Sequence, residues 1–367
     1  MSLFKRKERF LGIDISPSAI KLIELSRSGQ RFQVEAVAIE ALPEGAMADR
    51  NPNDPEQVAS AIKRAIKSSG TRLKSAAVAV PTSSVITRTI PMPASFSEEE
   101  IETNLQIEAA QYIPFPLEEI YMDFQILGTS KADSTSQDVM LVASRKENVD
   151  LREECLKEAG LKPVVVDVEA YALENTFGLL GLVEEAASAP TKDGKGMRPG
   201  RTGHASATAV VDIGASITTL YVFQGERVIF TREQSFGGEQ LTTAIADTYG
   251  LSRDKAELAK RSGEIAEDYP ITILEPFRQS TAEQVGNALQ FFFSSSHYNT
   301  VERIVLTGGG ALVDGLDKAV AASLGIPTFV ANPFEQMASA KGVNRRSLMR
   351  DAPLFAVACG LALRSFE

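Results

Sequence analysis

Two stretches of the chain share one pattern of hydrophobic and polar positions. Residues 11–25 (LGIDISPSAIKLIEL) and 209–223 (AVVDIGASITTLYVF) each contain an apolar segment that ends in an aspartate, a short polar turn and a second apolar segment. A further alternating segment follows each of them, at residues 32–38 and 227–231. Alternation of this kind is typical of β-strands. The chain is therefore predicted to contain two related α/β halves, each beginning with an antiparallel meander.

Between these stretches the apolar spacing changes to that of helices. Val58, Ile62 and Ile66 lie four residues apart. This spacing predicts an amphipathic helix over residues 54–69, and Gly70 is a typical helix end. Later in the chain, the same reasoning predicts helices over residues 238–249, 252–261, 280–295, 316–324 and 354–364.

A separate small α+β unit is predicted at residues 86–163. Ser97 and Glu100 have the spacing of a capping box, which marks the start of a helix. Two strands and a helix over residues 147–159 follow, so the unit is expected to be inserted into the first half.

Residues 186–206 are rich in Gly, Ala, Pro, Lys and Arg and lack apolar periodicity, which favours a linker. The predicted division of the chain is a first large subdomain at 1–85, 164–190 and 345–367, the inserted subdomain at 86–163, a linker at 191–206, a second large subdomain at 207–235 and 302–344, and a second small subdomain at 236–301.

Composition narrows the class of function. The 367 residues are 44% hydrophobic and carry a net charge of −10, which excludes a disordered chain and disfavours nucleic acid as a partner. Two cysteines and two histidines favour neither a disulfide framework nor a histidine-rich metal site. Without a signal peptide or an apolar run of roughly 20 residues, a cytoplasmic protein is expected. The basic residues of the first ten are either solvated or in contact with anionic lipid.

The two aspartate turns carry the candidate chemistry. Asp14 is followed by Ser16 and Ser18, and Asp212 by Gly214 and Ser216. Turn N–H groups and hydroxyls bind phosphate oxygens, and carboxylates hold Mg²⁺, usually through its water ligands. The pair of turns predicts a clamp for a polyphosphate and Mg²⁺, with Asp14 and Asp212 as the metal residues.

A glycine turn follows a later strand. The strand segment 303–306 runs into Thr307 and then Gly308, Gly309 and Gly310, and such glycines allow a backbone to approach a flat ligand. Val313 stands where a GxGxxG motif would need its last glycine, so a Rossmann site is disfavoured. The GxxxxGK[ST] motif is absent from the sequence, which excludes a P-loop.

Five segments of the chain, in their order along the sequence, resemble the motifs of the actin–Hsp70–sugar kinase superfamily. The five matching segments are the first phosphate loop at 12–18, the first connecting helix at 167–177, the second phosphate loop at 212–219, the adenosine loop at 306–311 and the second connecting helix at 353–363. The resemblance covers essentially the whole chain. It implies an actin-like α/β fold, a duplicated RNase H-like two-domain fold with ATP and Mg²⁺ in the cleft.

A closer resemblance is to the FtsA branch, which has a differently placed small subdomain, and within it to the PilM family of type IV pilus assembly. The segments that carry it are YIPFPLEEIYMDF at 112–124, DVEAYALENTF at 167–177 and LQFFFSS at 289–295, with the strand-turn-strand at 11–25. The inserted unit is therefore expected to be of the FtsA type.

The resemblance also implies roles for single residues. Gly308, Gly309 and Gly310 would pack on adenosine, and Gly237 and Gly238 would form the glycine turn that enters the second small subdomain. Glu257 and Lys260 either contact the ribose or base or form an ordinary surface ion pair. Lys21 either reaches phosphate or is a solvated strand residue.

Two departures from the superfamily pattern concern hydrolysis. Glu169, with Asp167 nearby, stands where actin has the glutamine that orients the attacking water. A carboxylate there adds negative charge beside the terminal phosphate. Pro17 removes one N–H from the first loop. Slow or absent hydrolysis is therefore expected.

The family implies a cytoplasmic scaffold recruited to the inner membrane by its partners. These are the N-terminal cytoplasmic segment of PilN and other pilus inner-membrane and motor proteins, with a homo-oligomer also possible. Apolar residues at 113–115 and Ile120 are either part of the PilN groove or packed within the inserted subdomain. The alternative functions are an FtsA-like filament former and a phosphotransferase or chaperone. The last two would need a polar substrate pocket or an added peptide-binding domain.

Overall fold

The computed structural model describes residues 9–130, 133–179, 207–263 and 265–367. Outside the described residues lie the predicted linker 191–206, residues 180–190 before it, and residues 1–8 of the basic N-terminus. In chain order, the strands are β1 Leu11–Ile15, β2 Ala19–Ser28, β3 Arg31–Ala41, β4 Met47–Ala48, β5 Asn51–Pro52, β6 Ser75–Val80, β7 Val85–Pro93, β8 Ile120–Thr129, β9 Ser136–Arg145, β10 Lys162–Val168, β11 Ala207–Ile213, β12 Thr218–Gln224, β13 Arg227–Gln234, β14 Arg303–Thr307, β15 Thr328–Val330 and β16 Ala338–Ser339.

The helices connect and cover these strands. They are α1 Pro55–Ser69, α2 Glu98–Tyr112, α3 Lys146–Glu158, α4 Glu169–Leu179, α5 Gly238–Tyr249, α6 Arg253–Ser262, α7 Glu275–Ser295, α8 Leu316–Leu324, α9 Arg345–Arg350 and α10 Ala356–Leu363. None of the described helices is both long enough and apolar enough to span a membrane.

Two sheets of matching topology form the two halves. The first has the strand order β10-β6-β1-β2-β3-β16, and the second has the order β15-β14-β11-β12-β13. In both, the strand that carries the loop aspartate pairs antiparallel with the next strand and parallel with a later one. The predicted repeat of strand, turn and strand is therefore confirmed, and the two aspartates occupy equivalent positions.

The first sheet and its helices share one apolar core. Ile13 and Leu22 of the sheet, Ile62 of α1 and Leu156 of α3 are all fully buried there. Each such side chain contributes about 1.5–3 kcal/mol by its burial. The predicted ends of α1 are confirmed, because Asp54 accepts a hydrogen bond from the Gln57 N–H at 3.0 Å and Gly70 ends the helix with φ 71°.

The inserted subdomain is smaller than predicted. It comprises α2 and a three-stranded antiparallel sheet in which β9 lies between β7 and β8. The predicted capping box forms, since the Ser97 N–H donates to the Glu100 carboxylate at 2.7 Å. The helix α3 was assigned to this subdomain, but its buried residues Cys155 and Leu156 face α1 and the first sheet. The inserted subdomain therefore ends with β9.

Residues 334–344 also differ from the predicted division. They were assigned to the second large subdomain, yet β16 pairs in parallel with β3 of the first sheet. Phe334 and Met337 are buried against first-sheet residues such as Ile23. A two-residue strand has no sequence pattern of its own, so only the tertiary pairing assigns it to the first half.

The helix α7 begins five residues before its predicted start. It continues directly from a π-helical turn over Pro270–Leu274. Pro276, the second residue of α7, has no backbone N–H to donate to the preceding π-helical turn.

The helices α4 and α10 cross where the two halves meet. A Cβ on Gly360 would lie 1.7 Å from the Ala172 carbonyl oxygen, so the two backbones touch without space for a side chain. Gly12 of β1 is equally close to α10, with its hypothetical Cβ 2.0 Å from the Ala358 carbonyl oxygen. Phe177 of α4 makes an edge contact with Phe223 of β12, at a centroid distance of 6.0 Å. A shared apolar core thus joins the halves.

Candidate functional site

The first loop is built around an ion pair between neighbouring strands. Asp14 on β1 lies opposite Lys21 on β2 in the strand register, which brings their side chains together. The Lys21 ammonium donates to Asp14 Oδ2 at 2.8 Å and to Ser16 Oγ at 2.6 Å. Lys21 is only 8% exposed, so the alternative of a solvated strand residue is wrong. The first loop therefore holds a fixed cation next to its aspartate.

Part of the first loop's hydrogen-bonding capacity is used within the turn. The Ser16 N–H donates to the Ala19 carbonyl oxygen at 3.1 Å, and the Ser16 hydroxyl donates to the same oxygen at 2.9 Å. Pro17 has no N–H to offer. Ser18 is exposed at the tip of the turn, so its hydroxyl is accessible to an incoming ligand.

The second loop is closed by the start of α5. The Gly214 N–H donates to the Ile217 carbonyl oxygen at 2.9 Å, and the Gly238 N–H donates to the Gly214 carbonyl oxygen at 2.9 Å. A Cβ on Gly237 would lie 2.6 Å from the Gly214 carbonyl oxygen, so a side chain would displace α5 from the loop. The geometry gives Gly237 and Gly238 a packing role, while Ser216 is exposed at the loop tip in the place equivalent to Ser18.

Asp212 lies within the electrostatic reach of the first loop. Burial raises the pKa of the Asp212 carboxyl, the Lys21 ammonium opposes this rise, and the Asp14 carboxylate adds to it. Since Lys21 and Asp14 belong to the first half and Asp212 to the second, the charges of the two aspartate loops interact across the boundary between the halves. The sequence prediction that these residues line one site is consistent with this arrangement.

The glycine turn lies directly against the second aspartate. Gly308 has φ 78°, and a Cβ there would lie 2.2 Å from Asp212 Oδ1. A Cβ on Gly310 would lie 2.2 Å from a side-chain carbon of Ile213. Gly309 is exposed, and a Cβ on it would meet only Leu354 at 3.5 Å. Glycine is therefore required at positions 308 and 310, and the turn forms an open ledge beside the second loop.

Glu257 and Lys260 form the ion pair that was one of the two expected alternatives. The Lys260 ammonium lies 2.6 Å from Glu257 Oε2 and also donates to Thr242 Oγ1 at 2.8 Å. It reaches the Gly238 carbonyl oxygen at 3.3 Å, at the start of α5. The pair is therefore tied to the same helix start that seats the second loop. A contact with ribose or base stays a prediction.

Glu169 is engaged by a cation that the sequence analysis did not single out. Arg50 donates to Glu169 Oε2 at 2.5 Å and also binds Glu233 of the second half. Burial raises the pKa of Glu169 to about 7, and the Arg50 charge opposes that shift. The Asp14 and Asp212 carboxylates contribute to the same rise. Glu169 therefore lies within the electrostatic reach of the two loop aspartates, and its role in positioning water stays a prediction.

Asp167 is not brought into this group. Its carboxylate lies 3.3 Å from Arg364 Nε and accepts the Val168 N–H at 2.8 Å. The charged neighbours that affect its pKa are Arg364 and Glu367, near the end of the chain. The structure therefore gives Asp167 an ionic role with Arg364 in place of the predicted role beside an attacking water.

Arg50 and Glu233 are the site residues that sequence reasoning missed. Arg50 lies in residues 43–54 (PEGAMADRNPND). This segment is rich in turn-forming residues and indicates only a loop. Nothing in that composition predicts the direction of an arginine side chain. Only the tertiary fold brings Arg50, Glu169 and Glu233 together.

The residues present fit a nucleotide with Mg²⁺. Within the described ranges, no group of three or more His, Cys, Asp or Glu side chains is close enough to hold a metal by itself. A Mg²⁺ site built from two aspartates needs phosphate and water oxygens to complete it, and this is the ordinary form in nucleotide-binding proteins. The absence of a side chain at Gly308 lets the glycine turn lie directly against Asp212. The donor set thus suits a metal that arrives with a phosphate ligand.

Comparison with known proteins assigns the family. The model of the family described as type IV pilus assembly protein PilM matches residues 12–366. A solved chain of the PilM–PilN type IV pilus biogenesis complex is 30% identical, with a TM-score of 0.78 over 98% of this chain and 99% of that one. The ethanolamine utilization protein EutJ from Carboxydothermus hydrogenoformans shares the fold, at 15% identity and a TM-score of 0.56 over 96% of this chain and 89% of its own. The actin-like fold expected from the sequence is confirmed, and the chain belongs to the PilM family of type IV pilus assembly proteins.

Proposed function

We propose that this chain is an ATP–Mg²⁺-binding scaffold of type IV pilus assembly whose conformation depends on nucleotide. The observation that carries the proposal is a pair of equivalent aspartate loops, one from each half, whose charges interact and of which the second lies beside the glycine turn. A ligand held by both loops has different contacts in open and closed arrangements of the halves. Such a ligand shifts the equilibrium between the arrangements.

Each part of the cleft has a defined task in this proposal. Asp14 and Asp212 would hold Mg²⁺ through its water ligands, and Lys21 would face the phosphates. Bound Mg²⁺ would offset the unfavourable proximity of the two carboxylates and of the phosphate charges. Ser18 and Ser216 offer exposed hydroxyls at the two loop tips. The ledge of Gly308, Gly309 and Gly310 would support adenosine.

The same residues favour holding ATP over consuming it. Glu169 is bound by Arg50, which leaves this carboxyl poorly placed to accept a proton from water. The N–H of Ser16 is already bonded within its turn, and Pro17 has none. The first loop therefore offers few backbone N–H donors to stabilise developing charge on a terminal phosphate.

Slow turnover is the expected kinetic result. Phosphate release by the purified chain at saturating ATP–Mg²⁺ is expected to be far below the enzyme median of about 10 s⁻¹. A continuous phosphate assay checks this value, with Asp212→Ala as the background control. Robust turnover by the chain alone would refute the scaffold proposal and favour a true ATPase.

The partner in this proposal is the N-terminal cytoplasmic segment of PilN. Support comes from the solved relative, which is a PilM–PilN complex at 30% identity across nearly the whole of both chains. The chain would then be cytoplasmic and reach the membrane through PilN, with other pilus proteins in the same assembly. Ile113 and Ile120 are buried in the inserted subdomain's own core and Phe115 packs against it, which favours the packing alternative over a place in the PilN groove.

Binding of that segment is the second expected outcome. A synthetic peptide of the PilN cytoplasmic segment, on beads, is expected to retain the purified chain, and ATP–Mg²⁺ is expected to change the retained amount. A scrambled peptide of the same composition is the control. Equal retention by the two peptides would contradict PilN as the partner, whereas retention that ignores ATP would contradict only the nucleotide dependence.

A further inference from the structure

A short hairpin places a charged side chain between the two halves. The strands β4 and β5 form this hairpin, named here the cleft hairpin, over residues 47–52. Its two central residues, Asp49 and Arg50, both have positive φ, at 46° and 65°. Positive φ at both central residues is what a type I′ turn requires, and that turn suits the twist of a two-residue hairpin loop. The tight turn fixes the direction in which Arg50 leaves the hairpin.

Arg50 joins carboxylates that belong to different halves. Glu169 is the first residue of α4 in the first half, and Glu233 lies on β13 in the second half. The Arg50 guanidinium binds both of them, and its side chain is only 15% exposed. A buried arginine that is shared by two carboxylates is costly to separate from either one. The contact therefore opposes relative movement of α4 and β13.

The other side of the hairpin is fixed to α3. The Arg152 guanidinium donates to the Arg50 carbonyl oxygen at 2.8 Å and to Asn51 Oδ1 at 2.8 Å. It also donates to the Ala79 carbonyl oxygen on β6 at 2.7 Å, and it is only 1% exposed. The hairpin is thus held between the cleft on one side and a buried arginine on the other.

The helix α3 continues the connection to the inserted subdomain. Asn148 accepts a hydrogen bond from Asn51 at 2.9 Å and donates to Ser144 Oγ at 3.3 Å. Ser144 lies near the end of β9, the central strand of the inserted sheet. Its hydroxyl donates to the Ser84 carbonyl oxygen at 3.0 Å, next to β7. Hydrogen-bonded neighbours therefore run without a break from Glu233 to the inserted sheet.

We propose that Arg50 is an interdomain tether and that the cleft hairpin links the separation of the two halves to the inserted subdomain. When Glu233 moves away with the second half, the pull on Arg50 acts on the hairpin and on the Arg152–Asn148 contacts behind it. A change in the position of the second half then changes the contacts of β9 in the inserted subdomain. The inference goes beyond the proposed function, because it does not require bound nucleotide.

The test removes only the contact between Arg50 and Glu233 of the second half. Glu233→Ala removes the second-half partner and leaves the Arg50–Glu169 contact in place. Glu40→Ala is the matched control, since Glu40 has the same side-chain exposure of 23% and pairs with Arg64 inside the first half. Spin labels at Lys63→Cys on α1 and Lys318→Cys on α8 report the distance between the halves. The native Cys155 and Cys359 are buried and do not compete for label.

Two measurements on the nucleotide-free chain decide the matter. In Glu233→Ala, the distance distribution between the labels is expected to be at least about twofold wider than in the parent. In the same variant, amide hydrogen exchange in the cleft hairpin and at the end of β9 is expected to be severalfold faster than in the parent. Glu40→Ala is expected to change neither, and melting temperatures identify any variant that fails to fold. Arg50→Lys, which keeps the charge and loses the two-pronged geometry, is expected to fall between the parent and Glu233→Ala.

Each outcome bears on one part of the proposal. An unchanged distance distribution in Glu233→Ala would overturn the tether. A wider distribution with unchanged exchange at β9 would overturn the link to the inserted subdomain. Neither result depends on ATP affinity, so failure of this inference and failure of the proposed nucleotide binding are distinguishable.

Discussion

Asp14→Ala and Asp212→Ala are each expected to weaken ATP–Mg²⁺ binding by about a hundredfold or more, which is about 3 kcal/mol. Each substitution removes one of the two loop carboxylates whose charges interact between the halves. The loss is expected to be of similar size in both variants, because the aspartates occupy equivalent strand positions. The parent chain is expected to bind ATP–Mg²⁺ in the micromolar range or tighter. Isothermal titration calorimetry measures all three affinities.

The controls separate lost binding from lost folding. Asp14→Ala leaves the buried Lys21 ammonium without its carboxylate, which itself costs stability. Asp14→Asn keeps an acceptor for Lys21 and is also expected to lose binding, since the metal needs the negative charge. Asp247→Ala, on the exposed face of α5, is expected to bind like the parent. Unchanged affinity in both Asp14 and Asp212 variants would contradict the assignment of the cleft.

Gly360→Ala is expected to produce the largest loss of stability, about 3 kcal/mol or more. The added Cβ would lie 1.7 Å from the Ala172 carbonyl oxygen and 2.4 Å from the carbonyl carbon, so α4 and α10 must move apart. Those helices pack at the junction of the halves, and both adjoining cores would lose contacts. Urea unfolding, followed by circular dichroism, measures the free energy of unfolding.

Gly342→Ala is the matched control for this substitution. Gly342 has open space where its Cβ would stand, and its φ is not in the left-handed region. The change is expected to stay within about 0.5 kcal/mol of the parent. Equal stabilities for Gly360→Ala and Gly342→Ala would contradict the backbone contact between α4 and α10.

The features that the sequence predicted well are those encoded locally. The two strand-turn-strand stretches, the ends of α1 and the capping box at Ser97 depend on residues within a few positions of each other. The loop aspartates belong to this class, because each lies near the end of its own strand. The repeat of one local pattern was enough to predict two equivalent loops, and the equivalent sheets confirm it.

The features that the sequence did not predict depend on distant partners. The sequence predicted the helix at 147–159 but not which apolar surface it covers, so this helix was assigned to the inserted subdomain. The two-residue strand β16 is defined only by its pairing with β3. Arg50 contacts Glu169 and Glu233, which are 119 and 183 residues away along the chain. No local pattern encodes a contact at that separation.

Glu169 illustrates both cases in one residue. Its place at the start of the first connecting helix was readable from the order of the motifs, and α4 begins there. The effect of this carboxylate on the local charge could not be predicted from the sequence, because it depends on the Arg50 guanidinium beside it. The added negative charge that was expected at the terminal phosphate is offset by the arginine and by the raised pKa of the carboxyl.

The central claim is that the two aspartate loops and the glycine ledge form one nucleotide cleft. The most direct test is a crystal structure of the chain with a non-hydrolysable ATP analogue and Mg²⁺. The account predicts phosphates between residues 14–18 and 212–216, a metal between Asp14 and Asp212, and the base against Gly308–Gly310. A nucleotide bound elsewhere on the chain, with both loops unchanged from the arrangement described above, would contradict it.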